Sequence, residues 1–324
     1  MIPIRDTVPS KNVPIINNLL IGINVVMFVV QMMQGSDLGF QRFVYYYGLV
    51  PARYTAPAWA LDVSRAQTII ALISFMFLHG GFLHLLGNMW FLYIFGDNVE
   101  DRLGPLRYAI FYLLCGLISG LSHVALNSHS TAPTIGASGA VAGVMGAYFL
   151  LHPSAKILTL IPIIIIPWFV EIPAFFFLGL WFLIQLLNAS AHSGSAGGIA
   201  WWAHVGGFVG GMILLKLFDL LPATGISTGI RSATARKTTH RFQMARPTLG
   251  TQDADIRATI SISPYEALVG TRKMVTVPHG FQRRVFRVNV PPGMEAGKIL
   301  RLRGMGRATA EGLKGDLLLK VVIQ

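Results

Sequence analysis

Charged residues are scarce in this chain. Of its 324 residues only 12% are Asp, Glu, Lys or Arg, whereas 53% are apolar and the mean hydropathy is +0.58. An ordinary soluble domain carries about 25% charged residues. The shortage of charge excludes such a domain and indicates a protein that lies in a membrane.

Cysteine is nearly absent, because Cys115 is the only one in the chain. A single thiol forms neither an internal disulfide framework nor a cysteine-based zinc site. Cys115 falls inside an apolar segment, where packing is its expected role. We predict no metal and no cofactor for this protein.

Long apolar stretches, in contrast, are frequent. Six of them are long enough, or nearly so, to cross about 30 Å of hydrocarbon as helices. The apolar segment 157–170 is interrupted by Pro162 and Pro167, so we predict an extended or interfacial piece there and no seventh span. The six predicted spans are 15–33, 82–99, 105–126, 136–151, 173–187 and 200–221.

Basic residues are unevenly distributed. Residues 1–224 contain nine Lys and Arg and eight Asp and Glu. Residues 225–324 contain 17 Lys and Arg and six Asp and Glu. The excess of Lys and Arg in alternate loops and in the tail places both termini in the cytoplasm. A basic tail beside a membrane favours contact with anionic lipid headgroups over nucleic acid. Because no transit-like leader precedes the first span, the predicted location is a bacterial cytoplasmic membrane.

Polar side chains inside the predicted spans are functional candidates, because hydrocarbon penalises them. His84 and Asn88 lie one turn apart on one face of the second span, and His79 lies just before it. Ser138 begins the fourth span, and His204 lies near the start of the sixth. Interhelical hydrogen bonds remain the alternative explanation for His84 or Asn88 taken alone.

Glycine spacing connects Ser138 with His204. GxxxG patterns let two helix backbones approach closely, and if the glycine faces of spans four and six meet, the two side chains lie together as a nucleophile and its base. The candidate donors for an oxyanion are His84, Asn88 and the backbone N–H of Ser138. The patterns are Gly139/Gly143 on span four and Gly206/Gly210 and Gly207/Gly211 on span six.

Taken together, these motifs over residues 1–222 resemble the rhomboid family of intramembrane serine proteases. The motifs are H-x4-H-x3-N from His79 to Asn88, "VEDRLG" after the second span, G-x-S-G at 136–139 and A-H-x-x-G at 203–207.

The resemblance implies a six-helix membrane fold with a Ser138–His204 dyad, no acidic third member and an opening to the outer face. It implies an oxyanion hole of His84, Asn88 and the Ser138 amide. His79, Gly136 and Gly139 are then supporting residues.

The substrates implied by the resemblance are transmembrane segments, which reach an aqueous cavity through a lateral gate. The stretches that match the flanking loops are 34–78, with Trp59, and 188–200. This chain departs from the family at Ala142, where some members have an aromatic residue beneath the catalytic histidine. What holds the imidazole of His204 is therefore open at this stage.

The tail is expected to contain a flexible basic linker, 223–254, and a small all-β sandwich, 255–324. Its sequences "DIRATISISPYEALVGTRKMVTVP" and "FRVNVPPGMEAGKILRLRGMG" resemble the C-terminal peptide-binding domain of the DnaJ chaperones. The resemblance implies an extended peptide as partner, and a purely structural or lipid-facing module is the alternative. Short β-type runs are predicted at 256–262, 271–277, 284–290, 298–303 and 316–323.

The function predicted from the sequence is that of an intramembrane serine endopeptidase, which cleaves transmembrane segments near the outer membrane face and carries a cytoplasmic peptide-binding-like domain. The alternative is a non-cleaving chaperone or retention factor that binds membrane helices in the same groove. Intact Ser138 and His204 argue against that alternative. A transporter is disfavoured, since the sequence has no convincing internal repeat.

Overall fold

The computed structural model describes residues 1–55, 63–163, 166–191, 199–222, 234–236, 239, 242–244, 254–279, 282–307 and 315–324. Internal contacts divide the chain into two compact units, Met1–Thr234 and Ala235–Gln324. The division falls inside the predicted linker 223–254, most of which lies outside the described residues. The boundaries 1–222 and 255–324 stay predictions.

The first unit is helical with one small sheet. Six helices occupy the six apolar stretches predicted from the sequence. Among the described residues between the first and second of them lie three shorter helices and a 3-10 turn. The elements are β1 (Ile2–Asp6), α1 (Ile15–Met32), α2 (Asp37–Tyr47), α3 (Ala52–Thr55), α4 (Arg65–Ser74), the turn Phe75–Phe77, α5 (Phe82–Leu103), α6 (Pro105–Leu126), α7 (Ser138–Leu151), β2 (Lys156–Ile163), β3 (Ile166–Pro173), α8 (Ala174–Ala191) and α9 (Trp201–Leu220).

Among the described residues, four helices are long and apolar enough to cross a membrane: α1, α6, α8 and α9. A fifth span results if α4, its 3-10 turn and α5 together form one membrane crossing with a bend of 75°. Helix α7 has 14 residues, or about 21 Å at 1.5 Å per residue, which is short of the hydrocarbon thickness. The structure supports four or five candidate spans, and the predicted count of six is not confirmed.

Segment 157–170 is extended where the structure describes it, as predicted. Strands β2 and β3 pair in antiparallel register, and Pro162 lies opposite Pro167. Strand β1 pairs with the other edge of β2. Proline lacks the N–H that a helix needs, so the two prolines account for the absence of a helix here.

Helix α7 lies at the centre of the first unit, where it packs against α5, α6 and α9. Residues 139–148 are all buried. The run is mostly Gly, Ala and Val, with no polar face to expose, which is the pattern of a helix enclosed on all sides. The shortness of α7 is compatible with this position, because its neighbours separate it from surrounding solvent and lipid.

The end of α5 anchors the start of α1. Glu100 accepts hydrogen bonds from the backbone N–H groups of Ile16 at 3.1 Å and Asn17 at 2.8 Å. The first N–H groups of a helix have no partner within it, and Pro14 makes no side-chain cap there. Glu100 therefore replaces the missing cap, and the hydroxyl of Tyr108, which donates to Asn17 Oδ1 at 2.7 Å, adds a contact from α6.

Strand β1 is tied to the far end of α7 by Asp6, which accepts a hydrogen bond from the hydroxyl of Tyr148 at 2.5 Å. Burial raises the pKa of Asp6 from 3.8 to about 6, although the bond from Tyr148 opposes this change. The folded state therefore binds more protons at this carboxyl than the unfolded chain does. The free energy of unfolding therefore falls as the pH rises from 3.8, the ordinary pKa of the carboxyl, to about 6, its pKa in the folded state.

We expect Asp6→Asn, which cannot ionise, to lose less thermal stability than the wild type between about pH 4 and pH 7. The measurement is the melting temperature in detergent as a function of pH. Asp37→Asn, at an exposed position on α2, is the control and should follow the wild-type curve. Equal pH dependence of Asp6→Asn and the wild type would contradict the prediction.

The stretch 34–78, which we expected to be the first outer loop, contains three helices in the part that the structure describes, 34–55 and 63–78. Two begin at serine caps: Ser36 Oγ accepts from the N–H of Gly39, and Ser64 forms a capping box with Gln67. The S-x-x-Q pattern is a helix-start signal that was readable in the sequence. Trp59 lies outside the described residues, as do 192–198 of the second predicted loop.

The second unit is rich in β-strands. All five predicted β-type runs coincide with strands, and β4, inside the predicted linker, is an addition. The elements are β4 (Phe242–Met244), β5 (Ile256–Ile262), α10 (Pro264–Val269), β6 (Thr271–His279), β7 (Gln282–Val290), β8 (Ile299–Leu302) and β9 (Leu317–Ile323).

These strands form two mixed three-stranded sheets, in the orders β4-β6-β7 and β5-β9-β8. Strand β4 is parallel to β6, and β5 is parallel to β9, whereas the other pairs are antiparallel. Buried residues from both sheets, among them Ile260, Val275 and Leu319, contribute to one hydrophobic core. The description of the two sheets as a sandwich stays a prediction.

A buried ion pair joins α10 to β6. Lys273 donates to Glu266, and each side chain is only 2% exposed. Burial acts to raise the pKa of Glu266, but hydrogen bonds from Lys273 and the Ser263 amide hold it below its ordinary value. Thr239 also donates to Glu266, from its N–H at 3.0 Å and its hydroxyl at 2.8 Å. Part of the predicted linker thus completes the polar contacts of this pair.

Candidate active site

Ser138 is the first residue of α7, directly after a turn at Gly136. Gly136 has φ +133°, a conformation that side chains rarely adopt, and its N–H donates to the carbonyl of Phe75 at 2.9 Å. At a helix start the backbone N–H groups have no intrahelical partners. The turn therefore places the hydroxyl of Ser138, and its backbone N–H without an intrahelical partner, at the N-terminal end of α7.

Glycines allow α7 and α9 to approach until their backbones touch, as the GxxxG patterns predicted. A Cβ atom at Gly207 would lie 2.1 Å from the carbonyl oxygen of Gly139, and one at Gly211 would lie 2.0 Å from that of Gly143. Gly206 belongs to a different contact, since its Cβ would meet Ser122 on α6. Helix α9 is therefore held between α7 and α6, and its α7 side carries Gly207 and Gly211.

This packing brings together the two residues predicted to be catalytic. His204 Nε2 lies 2.8 Å from Ser138 Oγ, within hydrogen-bonding distance. His204 is 9% exposed and Ser138 is partly buried. The side chains are 66 positions apart in sequence, so their contact depends on the α7–α9 interface.

Two residues on α8 surround the other side of the imidazole. Gln185 Oε1 lies 2.8 Å from His204 Nδ1, and the ring of Trp181 lies 5.9 Å from that of His204 at an interplanar angle of 35°. Neither residue was predicted from the sequence. A signal was present, because Gln185 is an amide within an apolar stretch, and such residues in membrane helices are functional candidates.

The predicted oxyanion residues lie at the start of α5. His84 Nδ1 accepts from the N–H of Gly80 at 3.3 Å, and a Cβ atom at Gly136 would lie 2.8 Å from His84 Nε2. Asn88 is 8% exposed, and its Nδ2 has no hydrogen-bond partner among the described residues. Gly136 therefore leaves room for the His84 ring, and the Asn88 amide is available to donate a hydrogen bond to a substrate.

His79 is fully buried and does not line the cavity described below. Its ring packs edge-on against that of His84, with the centroids 5.2 Å apart. Its backbone N–H and carbonyl both bond the side-chain amide of Gln31 on α1, at 2.9 and 3.2 Å. This position suits the supporting role expected of His79.

A cavity of about 620 Å³ opens onto these residues. Ser138, His204, His84 and Asn88 all line it, and most of the remaining wall is apolar. Within the described part of the chain, no group of three or more His, Cys, Asp or Glu side chains is placed to hold a metal ion. The arrangement offers a hydroxyl, an imidazole and amide donors around one space, which are the components of acyl transfer.

Comparisons with known proteins find matches to two domain families. Residues 66–219 match the rhomboid domain, and residues 240–324 match the DnaJ C terminal domain. The resemblance to these two families, predicted from the sequence motifs, is confirmed.

Similarity to individual proteins extends over parts of the chain. RHOMBOID-like protein 5 of Arabidopsis thaliana is 32% identical over 163 residues, which cover 48% of this chain and 45% of the relative. The putative rhomboid protease YdcA of Bacillus subtilis is 31% identical over 31% of this chain and 49% of its own length. Chaperone protein DnaJ of Treponema denticola is 30% identical over 26% of this chain and 21% of its own. The chain thus spans less than half the length of each of these relatives.

Proposed function

We propose that this chain is an intramembrane serine endopeptidase in which Ser138 is the nucleophile and His204 the general base. The observation that carries the proposal is the 2.8 Å contact between Ser138 Oγ and His204 Nε2 beside a cavity. Serine is a weak nucleophile unless a neighbouring base takes its proton. Relatives that include a putative rhomboid protease support the same kind of activity.

In the proposed mechanism Ser138 Oγ attacks the carbonyl carbon of the scissile peptide bond while His204 Nε2 takes its proton. The tetrahedral intermediate then collapses, the C–N bond breaks, and the leaving nitrogen takes the proton from the imidazolium. Water enters next and loses a proton to His204 as it attacks the acyl ester. Cleavage of that ester restores Ser138.

The negative charge that develops on the carbonyl oxygen needs donors that are in place beforehand. We assign this role to the N–H of Ser138, Nδ2 of Asn88 and the imidazole of His84. The first belongs to the first turn of α7 and has no intrahelical partner, and the second is buried without a partner among the described residues. A substrate oxyanion would give both of them a hydrogen bond.

The site opens toward the outer face in this proposal. Helix α7 begins at Ser138. Tyr148 lies about 15 Å further along its axis, and its hydroxyl donates to Asp6 of the N-terminal strand. The distribution of Lys and Arg in the sequence favours an N-terminus in the cytoplasm. Ser138 then lies toward the opposite side of a bacterial cytoplasmic membrane.

The proposed substrates are transmembrane segments that unwind locally. An α-helix with its side chains is about 10–12 Å across, and its peptide groups are closed by internal hydrogen bonds. An unwound segment exposes a peptide bond to Ser138, so small or helix-breaking residues are expected near the cut. The proposed role of the DnaJ-like domain is to bind extended peptide segments on the cytoplasmic side.

Cleavage of a single-span substrate in proteoliposomes tests the function. We expect the wild type to cut within the outer half of the span and His204→Ala to leave the substrate intact. A chain truncated after residue 224 shows whether the C-terminal domain contributes to substrate choice. Failure of the folded wild type to cut several unrelated single-span substrates would count against the proposal.

Asn88 provides a more selective test of the oxyanion assignment. We expect Asn88→Ala to lower kcat by about 10²- to 10³-fold, the usual effect of removing one such donor. The melting temperature should change little, because the lost Nδ2 has no partner among the described residues. Leu86→Ala, at an exposed position on the same helix, is the control. A rise in KM with unchanged kcat would instead assign Asn88 to substrate binding.

A further inference from the structure

The imidazole of His204 is held at both of its nitrogens. Nε2 lies 2.8 Å from Ser138 Oγ, and Nδ1 lies 2.8 Å from Gln185 Oε1. Gln185 is only 5% exposed. Water therefore has little access to the bond between the amide and the imidazole, and competes weakly for either partner.

A second hydrogen bond fixes the orientation of the Gln185 amide. Its Nε2 donates to the backbone carbonyl of Trp181, one turn earlier on α8, at 3.2 Å. If the amide were rotated by 180°, two oxygens would face each other at that position and an NH₂ group would face the imidazole. The carbonyl of Trp181 thus ensures that Gln185 presents an acceptor to His204.

An acceptor at Nδ1 determines the protonation pattern of the neutral imidazole. Neutral histidine carries one N–H and one lone pair, on different nitrogens. With Gln185 Oε1 facing Nδ1, the proton is held on Nδ1 and the lone pair is left on Nε2. Nε2 is the atom that faces Ser138, so this tautomer is the one that can take the proton of the serine.

Helix α8 also restricts rotation of the ring. Trp181 lies beside the imidazole at 5.9 Å, on the same helix and one turn from Gln185. Ala142, at the position where some family members have an aromatic side chain, is fully buried and has only a methyl group. Both supports therefore come from α8 and neither comes from α7.

We propose that Gln185 is a positioning residue that fixes the tautomer and the orientation of His204. This inference rests on the proposed function of Ser138 and His204, which it extends from a dyad to a Ser–His–Gln arrangement. The amide performs the orienting role that a carboxylate performs in other serine hydrolases. Because it is neutral, it does so without adding a buried charge.

The direct test is the tautomer of His204 in the full chain, observed by ¹⁵N NMR of histidine-labelled protein in nanodiscs. The chain has nine histidines, so the signals of His204 are assigned from their loss in His204→Ala. In the wild type we expect the proton on Nδ1. In Gln185→Leu we expect a mixture of tautomers or a proton on Nε2.

Kinetics should change in parallel with the tautomer. We expect Gln185→Leu to lower kcat by about 10²-fold, the scale of a small misplacement of a catalytic group, with KM nearly unchanged. Labelling of Ser138 by a fluorophosphonate should slow by a similar factor. Gln185→Glu keeps an oxygen acceptor at Nδ1, and in its protonated form it also keeps a donor toward the carbonyl of Trp181 and adds no charge, so it should restore both the tautomer and most of the rate.

Asn188→Leu is the matched control. Asn188 is a partly buried amide on α8, and its Nδ2 makes the same type of bond, to the carbonyl of Ile184 at 2.8 Å. This variant shows the effect of losing an amide from α8 at a position that does not contact His204. We expect the tautomer of His204 and the rate to stay at wild-type values.

The outcomes separate this inference from the proposed function. A proton that stays on Nδ1 in Gln185→Leu, or a rate that Gln185→Glu does not restore, would overturn the role of Gln185. If Gln185→Leu does not fold, Gln185→Met, which is similar in length and lacks the amide, decides by the same two criteria. The His204 tautomer could depend on Gln185 while the wild type cleaves no substrate. That result would support the positioning role of Gln185 and refute the proposed protease activity.

Discussion

Gly207→Leu is expected to separate α7 from α9 and to abolish both folding stability and activity. The Cβ atom alone would lie 2.1 Å from the carbonyl oxygen of Gly139 and 3.0 Å from its carbonyl carbon. These are backbone atoms of a buried helix, so they cannot rotate away as a side chain would. Three further carbon atoms would enlarge the overlap.

The expected loss exceeds the usual cost of overpacking, about 1–3 kcal/mol, because two backbones must move apart. The same movement separates Ser138 from His204, since each is carried by one of the two helices. Thermal unfolding in detergent and the yield of folded protein measure the first effect, and substrate cleavage measures the second.

Gly22→Leu is the control for a leucine placed in an apolar helix. Gly22 lies in α1, and a Cβ atom there has no neighbour within 4 Å among the described residues. We expect this variant to be stable and active. A melting temperature of Gly207→Leu equal to that of the wild type would refute the close α7–α9 contact.

Ser138→Ala is expected to remove cleavage while leaving the protein folded. Loss of the nucleophile in a serine protease lowers kcat on the order of 10⁶-fold, because the base and the oxyanion donors then have no attacking group to assist. The structural change is small: one partly buried hydroxyl and its bond to His204 Nε2 are lost. Such a bond contributes about 1 kcal/mol to stability.

The measurement compares cleavage in proteoliposomes with melting in detergent for the same preparations. Ser122→Ala, which removes a hydroxyl on α6 that does not line the cavity, is the control and should cleave at the wild-type rate. Cleavage by Ser138→Ala at more than a trace of the wild-type rate would assign the nucleophile to another residue. Loss of folding in Ser138→Ala would give the hydroxyl a structural role.

Most of the secondary structure was readable from the sequence because its signals are local. Apolar runs predicted the helices that became α1, α5, α6, α7, α8 and α9, and alternating patterns predicted five strands of the second unit. The number of spans was not settled by these signals. A buried helix such as α7 and a helix in lipid are equally apolar, and only its neighbours distinguish them.

The candidate site was only partly predictable. Ser138, His204, His84 and Asn88 were identifiable because polar side chains in hydrocarbon are energetically costly and therefore usually functional. Gln185 obeys the same rule but was overlooked, because it belongs to no motif and its partner is 19 positions away. Two of the helices in 34–78 were overlooked although Ser36 and Ser64 provide caps for them.

The sequence by itself determined that this protein enters a membrane, that a β-rich domain follows, and that a serine and a histidine stand beside glycines. These properties depend on composition and short spacings, which act within one element. The tertiary structure alone decided that Gly207 faces α7 while Gly206 faces α6, and that Gln185 faces His204 Nδ1. Those relations depend on how each helix is rotated about its axis, and that rotation is set by packing between elements far apart in the chain.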